Sequence, residues 1–196
     1  MSTPIAIKTA TPEDASAIAH IQIAGWRAAY QGIVPDSHLN SLSASDKTAF
    51  WQRILIDPVK AKDILVARSD DNNNNNDSSD QTVSQVLGFV SFGSAGDRPG
   101  PGSDVAKLSV EASRRGELCA IYVDPRHLSE GVGRCLWTAA HARMVELGYS
   151  TVVVWVFAGN ERAIRFYRKA GFSENQTGQT EVGGVTVATI QLAKTL

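Results

Sequence analysis

The sequence predicts an α/β fold in a single domain spanning residues 1–196, with a parallel pair of strands near its centre. Three observations predict it. Residues 117–172 run strand, glycine turn, helix, strand, helix. Two strands joined by one long helix are most simply parallel neighbours in a right-handed crossover. Near the C-terminus, Gly183-Gly184 between Val182 and Val185 is a two-residue hairpin signal, which adds an antiparallel pair. The length of 196 residues, 43% hydrophobic and 20% charged, suits one sizeable core.

Ile5 to Lys8 forms an edge strand at the start of the chain. Thr11 caps a helix with Pro12 at its first position and Glu13 and Asp14 in its first turn, where negative charge is favoured. Ala15 and Ile18 face its core side, and Ala19, Ile23, Trp26 and Tyr30 form an adjoining stripe running to Gly32. Pro35 to Leu42 makes a short helical turn; Ser43 and Asp46 open a helix that carries Phe50, Trp51 and Ile54 and ends before Pro58. Ile64 to Ala67 is a strand, and residues 68–82, with five consecutive asparagines, are a disordered loop insertion without apolar anchors. Val86 to Phe92 is the next strand, followed by a Gly- and Pro-rich stretch, residues 93–116, in which Arg114 and Arg115 are expected in solvent.

Glu117 to Val123 is an apolar strand that Pro125 stops, because proline cannot donate to a ladder. From Val132, the residues Leu136, Ala140, Met144 and Leu147 recur at helix spacing, with Arg134, Thr138 and His141 on the wetter side and Gly148 as the left-handed cap. Thr151 to Val156 is β-branched and apolar throughout, as in a strand covered on both faces. A second helix places Ala163, Phe166, Tyr167 and Ala170 on one face and stops at Gly171, so that Phe172 packs back on its last turn. Strands at Ser173 to Thr180 and Val185 to Leu192 complete the hairpin.

Composition excludes several functions. A net charge of -1 without a basic block argues against nucleic acid as an obligate partner. The two cysteines, Cys119 and Cys135, lack metal-ligand spacing, and so few thiols fit a reducing compartment. No apolar run reaches membrane-spanning length and no signal-peptide pattern opens the chain, so a soluble cytoplasmic protein without a metal is expected.

The glycine turn carries the chemistry. Gly131 and Gly133 lie at a helix start, where unpartnered amide N–H groups and the positive dipole end together suit a diphosphate. The plainer reading is a tight turn that needs glycine for its backbone alone. A dinucleotide site is disfavoured, because it needs the glycines straight after the strand and a third three residues on, where Leu136 stands.

The segments Val123-Asp124-Pro125, Gly131-Val132-Gly133-Arg134 and Asn160 through Phe172, in that order and spacing, resemble the acetyl-CoA-binding core of the GNAT superfamily of N-acetyltransferases. The resemblance implies a mixed, largely antiparallel central sheet with helices on both faces, and acetyl-CoA as co-substrate. It implies that main-chain groups of Ile121, Tyr122 and Val123 meet the thioester, freed by a bulge that splays their strand from the next. By the same resemblance Leu128, Ser129, Glu130, Gly131, Val132, Gly133 and Arg134 cradle the diphosphate. Leu128 stands where the family usually has Gln or Arg, which removes a side-chain contact and leaves the backbone ones. Arg126 and Arg134 flank the turn as candidate phosphate partners.

Asn160, Ala163 and Phe166 are expected along the CoA arm, Asn160 doubling as a helix cap. The same resemblance makes Trp26 and Tyr30 candidates for the acceptor amine; the plainer reading is an aromatic stripe packed on the sheet. The resemblance gives Tyr167 the place of the general acid for the leaving thiolate, against a plain core tyrosine. Glu117, a charge opening an apolar strand, is the candidate base, directly or through water, against a solvated strand end. The expected reaction is direct transfer to a primary amine of a small molecule or peptide by a monomer or homodimer. The alternative is a catalytically silent CoA-binding sensor or interaction module.

Overall fold

A computed structural model describes residues 4–61, 63–69, 84–95 and 114–196. The strands are β1 (Ile5–Thr9), β2 (Ile64–Ser69), β3 (Val86–Ser94), β4 (Arg115–Val123), β5 (Thr151–Phe157), β6 (Ser173–Val182) and β7 (Val185–Thr195). The helices are α1 (Ala15–Tyr30), α2 (Asp36–Asn40), α3 (Ala44–Leu55), α4 (Pro58–Ala61), α5 (Val132–Glu146) and α6 (Glu161–Lys169). The strands form one mixed sheet in the order β1-β2-β3-β4-β5-β7-β6. Every neighbouring pair is antiparallel except β4 with β5, the crossover pair expected from the sequence.

Two apolar layers sandwich the sheet. On one face Ile18, Ala19 and Ile21 of α1 and Trp51 and Leu55 of α3 pack on Ile64, Val66 and Phe89. On the other, Val132, Leu136, Ala140 and Met144 of α5 and Ile164 and Tyr167 of α6 pack on Leu118, Val152 and Val154. Leu147 departs from its expected place on this face: it is 37% exposed, and Trp137 at 7% fills the interior instead. The helix has ended by then, since Gly148 (φ 82°) turns the chain and Tyr149 N–H bonds back to the Met144 carbonyl at 3.1 Å.

The same closing motif ends α6. Gly171 has φ 90°, its N–H reaches the Arg168 carbonyl at 3.1 Å, and Phe172 N–H reaches that of Tyr167 at 3.0 Å. Phe172 thereby lies between Trp137 and Tyr167, with ring centroids at 5.0 and 5.3 Å. At the other end of the chain, Thr11 caps a 3-10 turn of Pro12–Asp14, and α1 starts only at Ala15. Asp14 is 2% exposed, accepts from Thr11 N–H and pairs with Arg68.

Several strands run past their expected boundaries. Arg68 and Ser69 continue β2, ahead of the asparagine-rich segment, whose residues 70–82 lie outside the described residues. Gly93 and Ser94 belong to β3, and Arg115 and Gly116 to β4. Arg115 is therefore not in solvent: it is partly buried and donates to Gln191 Oε1 at 2.7 Å.

One irregularity in the sheet shapes its centre. Ala120 pairs with Ser91 and Leu118 with Phe92, so Cys119 is an extra residue in β4. A bulge reverses which way later side chains point. Leu118 faces the α5 layer, and beyond Cys119 it is Ile121 and Val123 that do so, while Ala120 and Tyr122 face α1. Pairing of β4 with β5 covers Arg115–Thr151, Gly116–Val152 and Glu117–Val153 and stops there, although both strands run on.

Candidate functional site

Where the two strands part, a cavity of about 730 Å³ opens, lined by β4 from Leu118 to Val123, the turn before α5, Val154–Val156 of β5, one face of α6 and the C-terminal end of α1. Asp124 N–H bonds to the Leu87 carbonyl at 2.9 Å, on the β3 side. Alternation along an extended strand then turns the N–H groups of Ile121 and Val123 the other way, to the open edge. They are main-chain donors beside a cavity, without a strand opposite.

The turn supplies a second set. Ser129 (φ 72°) and Gly131 (φ 90°) both take left-handed backbone, and Gly131 is the residue before α5, with no side-chain cap there. The first helical bond is Cys135 N–H to the Gly131 carbonyl at 3.0 Å, so the N–H groups of Val132, Gly133 and Arg134 have no carbonyl within the helix. Leu128, Ser129, Glu130, Gly131, Gly133 and Arg134 all line the cavity. Val132 is not among the lining residues: it is 1% exposed and packs in the core. Space around Gly131 is open, with nothing within 4 Å of where a Cβ would stand, and at Gly133 the nearest neighbours are Phe166 at 3.5 Å and Val123 at 3.6 Å. The cradle fits an anion of diphosphate size through backbone donors.

Arg126 does not join this cradle. Its guanidinium is held by Asp124 (Nη2 to Oδ2, 2.7 Å) and borders a separate cavity of about 410 Å³ on the α1 side. That pairing keeps the Asp124 carboxyl below the usual carboxylate range. Glu130 is likewise engaged, with His127 Nδ1 at 3.0 Å.

Asn160 caps α6 as expected, its Oδ1 accepting from Ala163 N–H at 3.1 Å. Asn160, Ala163, Phe166 and Tyr167 face the cavity. Tyr167 is 4% exposed, and burial, with the nearby Tyr30 second, pushes its hydroxyl well above the ordinary phenol range. It is a protonated donor at any physiological pH.

The two aromatic candidates on α1 separate. Tyr30 lines the cavity, whereas Trp26 lies behind it, edge-on to Tyr30 (centroids 5.0 Å) and to Phe157 (6.3 Å). The Tyr30 hydroxyl is 3.2 Å from that of Tyr122. Burial raises both phenols, Tyr122 the more strongly. The Tyr122 side chain is not legible from the sequence: counting from Leu118 in steps of two puts it on the α5 side, and only the bulge at Cys119 turns it toward α1. Cys119 itself also borders the cavity.

Glu117 sits at the last rung joining β4 to β5, partly exposed and outside the residues that line the cavity. Among the described residues no group of three His, Cys, Asp or Glu side chains converges as a metal site would require, and no helix is long and apolar enough to cross a membrane.

Residues 37–172 match the family model described as "Acetyltransferase (GNAT) family". The chain belongs to the GNAT acetyltransferase family. Its curated relatives include the uncharacterized N-acetyltransferase YuaI of Bacillus subtilis, 26% identical over 96% of this chain and 91% of that one. Among solved structures this GNAT chain is similar to the PaiA N-acetyltransferase of Thermoplasma acidophilum in complex with coenzyme A (TM-score 0.69, 19% identity, 98% of this chain and 99% of that one). It is also similar to YncA, described as a putative acetyltransferase from Salmonella typhimurium with acetyl-CoA (TM-score 0.63, 16% identity, 97% and 93% of the two chains). These likenesses identify the GNAT fold.

Proposed function

We propose that this GNAT protein transfers the acetyl group of acetyl-CoA directly to a primary amine of a small molecule or peptide, in the cytoplasm. The observation that carries the reading is the parting of β4 from β5 beyond Glu117–Val153, over a cavity that also takes in the uncapped start of α5. One continuous space thus holds donors for a diphosphate at one end and donors for a carbonyl oxygen at the other. CoA is named with the PaiA structure and acetyl-CoA with that of YncA, and both share this fold.

Each chemical step falls to a particular residue. The amine nitrogen attacks the thioester carbon, and the resulting oxyanion accepts from the open-edge N–H groups of Ile121 and Val123. As the C–S bond breaks, Tyr167 gives its hydroxyl proton to the sulfur. An alkylamine has a pKa of about 10.4, so a base must take its proton at neutral pH. Glu117 is assigned that role through water, since it stands one residue short of the cavity wall. Gly131, Val132, Gly133 and Arg134 hold the diphosphate by their amides, with Leu128, Ser129 and Glu130 shaping the turn; Asn160, Ala163 and Phe166 border the pantetheine arm. Tyr30 borders the acceptor, and Trp26 backs it.

The test is release of free thiol from acetyl-CoA against a panel of amines: polyamines, amino acids, aromatic amines and peptide N-termini. Amine-dependent release supports the reading. Tight CoA binding without release across the panel would instead favour a silent CoA sensor.

A further inference from the structure

The cavity between β4 and β5 is charged at one end only. Its one lining carboxylate, Glu130, is met by His127, and its lining cations are Arg134, Arg162, Arg165 and Lys169. This excess of positive charge sits in a chain whose net charge is -1. All four cations are exposed. On α6, spacings of three and four residues put Arg162, Arg165 and Lys169 in one row, with Phe166 beside it. Phe166 is also the nearest neighbour of Gly133, 3.5 Å from where a Cβ would stand, so the row runs past the first turn of α5, which carries Arg134. Like charges at this spacing cost helix stability. Other arginines of the two helices have acids to offset them: Arg165 pairs with Glu161 at 3.0 Å, Arg143 with Glu146, and Arg168 with Glu174. Arg134, Arg162 and Lys169 form no ion pair among the described residues.

We propose, resting on the CoA reading of this cavity, that Arg162 and Lys169, with Arg134 on the neighbouring helix, hold the 3′-phosphate of CoA and so select CoA over dephospho-CoA. In CoA a single ribose separates the diphosphate from this phosphate monoester, which carries about −1.5 to −2 charges near pH 7. The α5 start offers amides and a dipole end of only about half a charge, and the diphosphate takes them. The monoester beside it calls for full cations. Arg162 and Lys169 stand within about 6 Å of Phe166 along the helix axis, on either side of it, a span that long side chains cover. Arginine brings paired N–H donors to phosphate, and lysine a point charge. At the other end, the lining residues Tyr30, Cys119, Tyr122 and Trp155 carry no full charge, which leaves that end to the thioester.

Calorimetry with CoA and with dephospho-CoA isolates the contact, because the two ligands differ by this phosphate alone. Wild type should bind CoA about tenfold tighter at low salt, as charge-assisted contacts to phosphate do. The ratio should shrink as salt is added, since exposed charges are screened. The Arg162→Gln/Lys169→Gln double variant should bring the ratio below about threefold by weakening CoA, with dephospho-CoA within about twofold of its wild-type affinity. Each single variant should fall between, and the singles decide the matter should the double variant fail to fold. Arg168→Gln removes a cation from the same helix outside the cavity lining and should keep the wild-type ratio. Equal wild-type affinity for the two ligands overturns the proposal. So does a double variant that weakens both alike, which would put these cations on the diphosphate, or an equal effect of Arg168→Gln, which would mean only a diffuse field. If wild type binds neither ligand, the CoA reading falls and takes the proposal with it, whereas tight binding of both without preference removes the proposal alone.

Discussion

Gly25 and Tyr122 are so close that a Cβ on Gly25 would lie 2.6 Å from Cδ1 of the tyrosine ring. A glycine inside α1 costs helix stability relative to alanine, so its presence here is explained by the ring it admits. Without that gap Tyr122 would be displaced from the Tyr30 hydroxyl. Gly25→Ala should therefore destabilise the fold by about 1–3 kcal/mol despite its better helix propensity, as overpacking does. A urea midpoint equal to or above wild type would mean the ring turns aside at no cost.

Tyr167→Phe should lower kcat more than about tenfold and leave acetyl-CoA affinity near that of wild type, as expected for a lost general acid. Because burial raises this phenol, it keeps its proton through the alkaline range in which ordinary tyrosines ionise. Wild type and variant should then share the shape of their alkaline pH–rate limbs. A limb present only in the wild type would assign a titration to Tyr167 that its burial opposes.

Gly133→Asp separates binding from folding. A side chain there meets Phe166 and Val123 only at ordinary contact distance, 3.5 and 3.6 Å. The melting temperature should change little. The carboxylate, however, stands at the helix start where a diphosphate is proposed to sit, and like charges repel. Calorimetry should find CoA affinity lost; a normal dissociation constant would remove the phosphate assignment.

Asp124 gives a pH signature. Its carboxyl lies below the usual range, chiefly through the side-chain bond from Arg126. A folded pKa below the unfolded value of about 3.9 means a contribution that is fully present above that value and lost as pH falls through the folded one. The difference in melting temperature between wild type and Asp124→Asn should be constant near neutrality and should shrink below about pH 4. A gap that persists at pH 3 would show that Asp124 acts through shape alone.

Much of the architecture is legible in the sequence because it is local. The cap at Asn160, the closing glycines at positions 148 and 171 and the glycine turn each rest on residues a few positions apart, and the parallel crossover on one unbroken strand–helix–strand run. What escapes depends on partners distant in sequence. Arg115 finds Gln191 across 76 positions, and Tyr30 finds Tyr122 across 92. The single extra residue at Cys119 leaves no mark in the hydrophobic pattern of β4, yet it decides which wall Tyr122 belongs to. Nearness in sequence to Ile121 puts Glu117 beside the site, and the rung it forms with Val153 leaves it just short of the opening.

The three rungs between β4 and β5 make the sheet two panels, β1 to β4 and β5 with β7 and β6, joined by a short seam with a wedge-shaped gap above it. A molecule lodged in that wedge touches both panels and acts as mortar between them. Occupancy should thus stiffen the whole sheet, and the resistance of the protein to heat should climb with the logarithm of ligand concentration, even for a CoA derivative that cannot react.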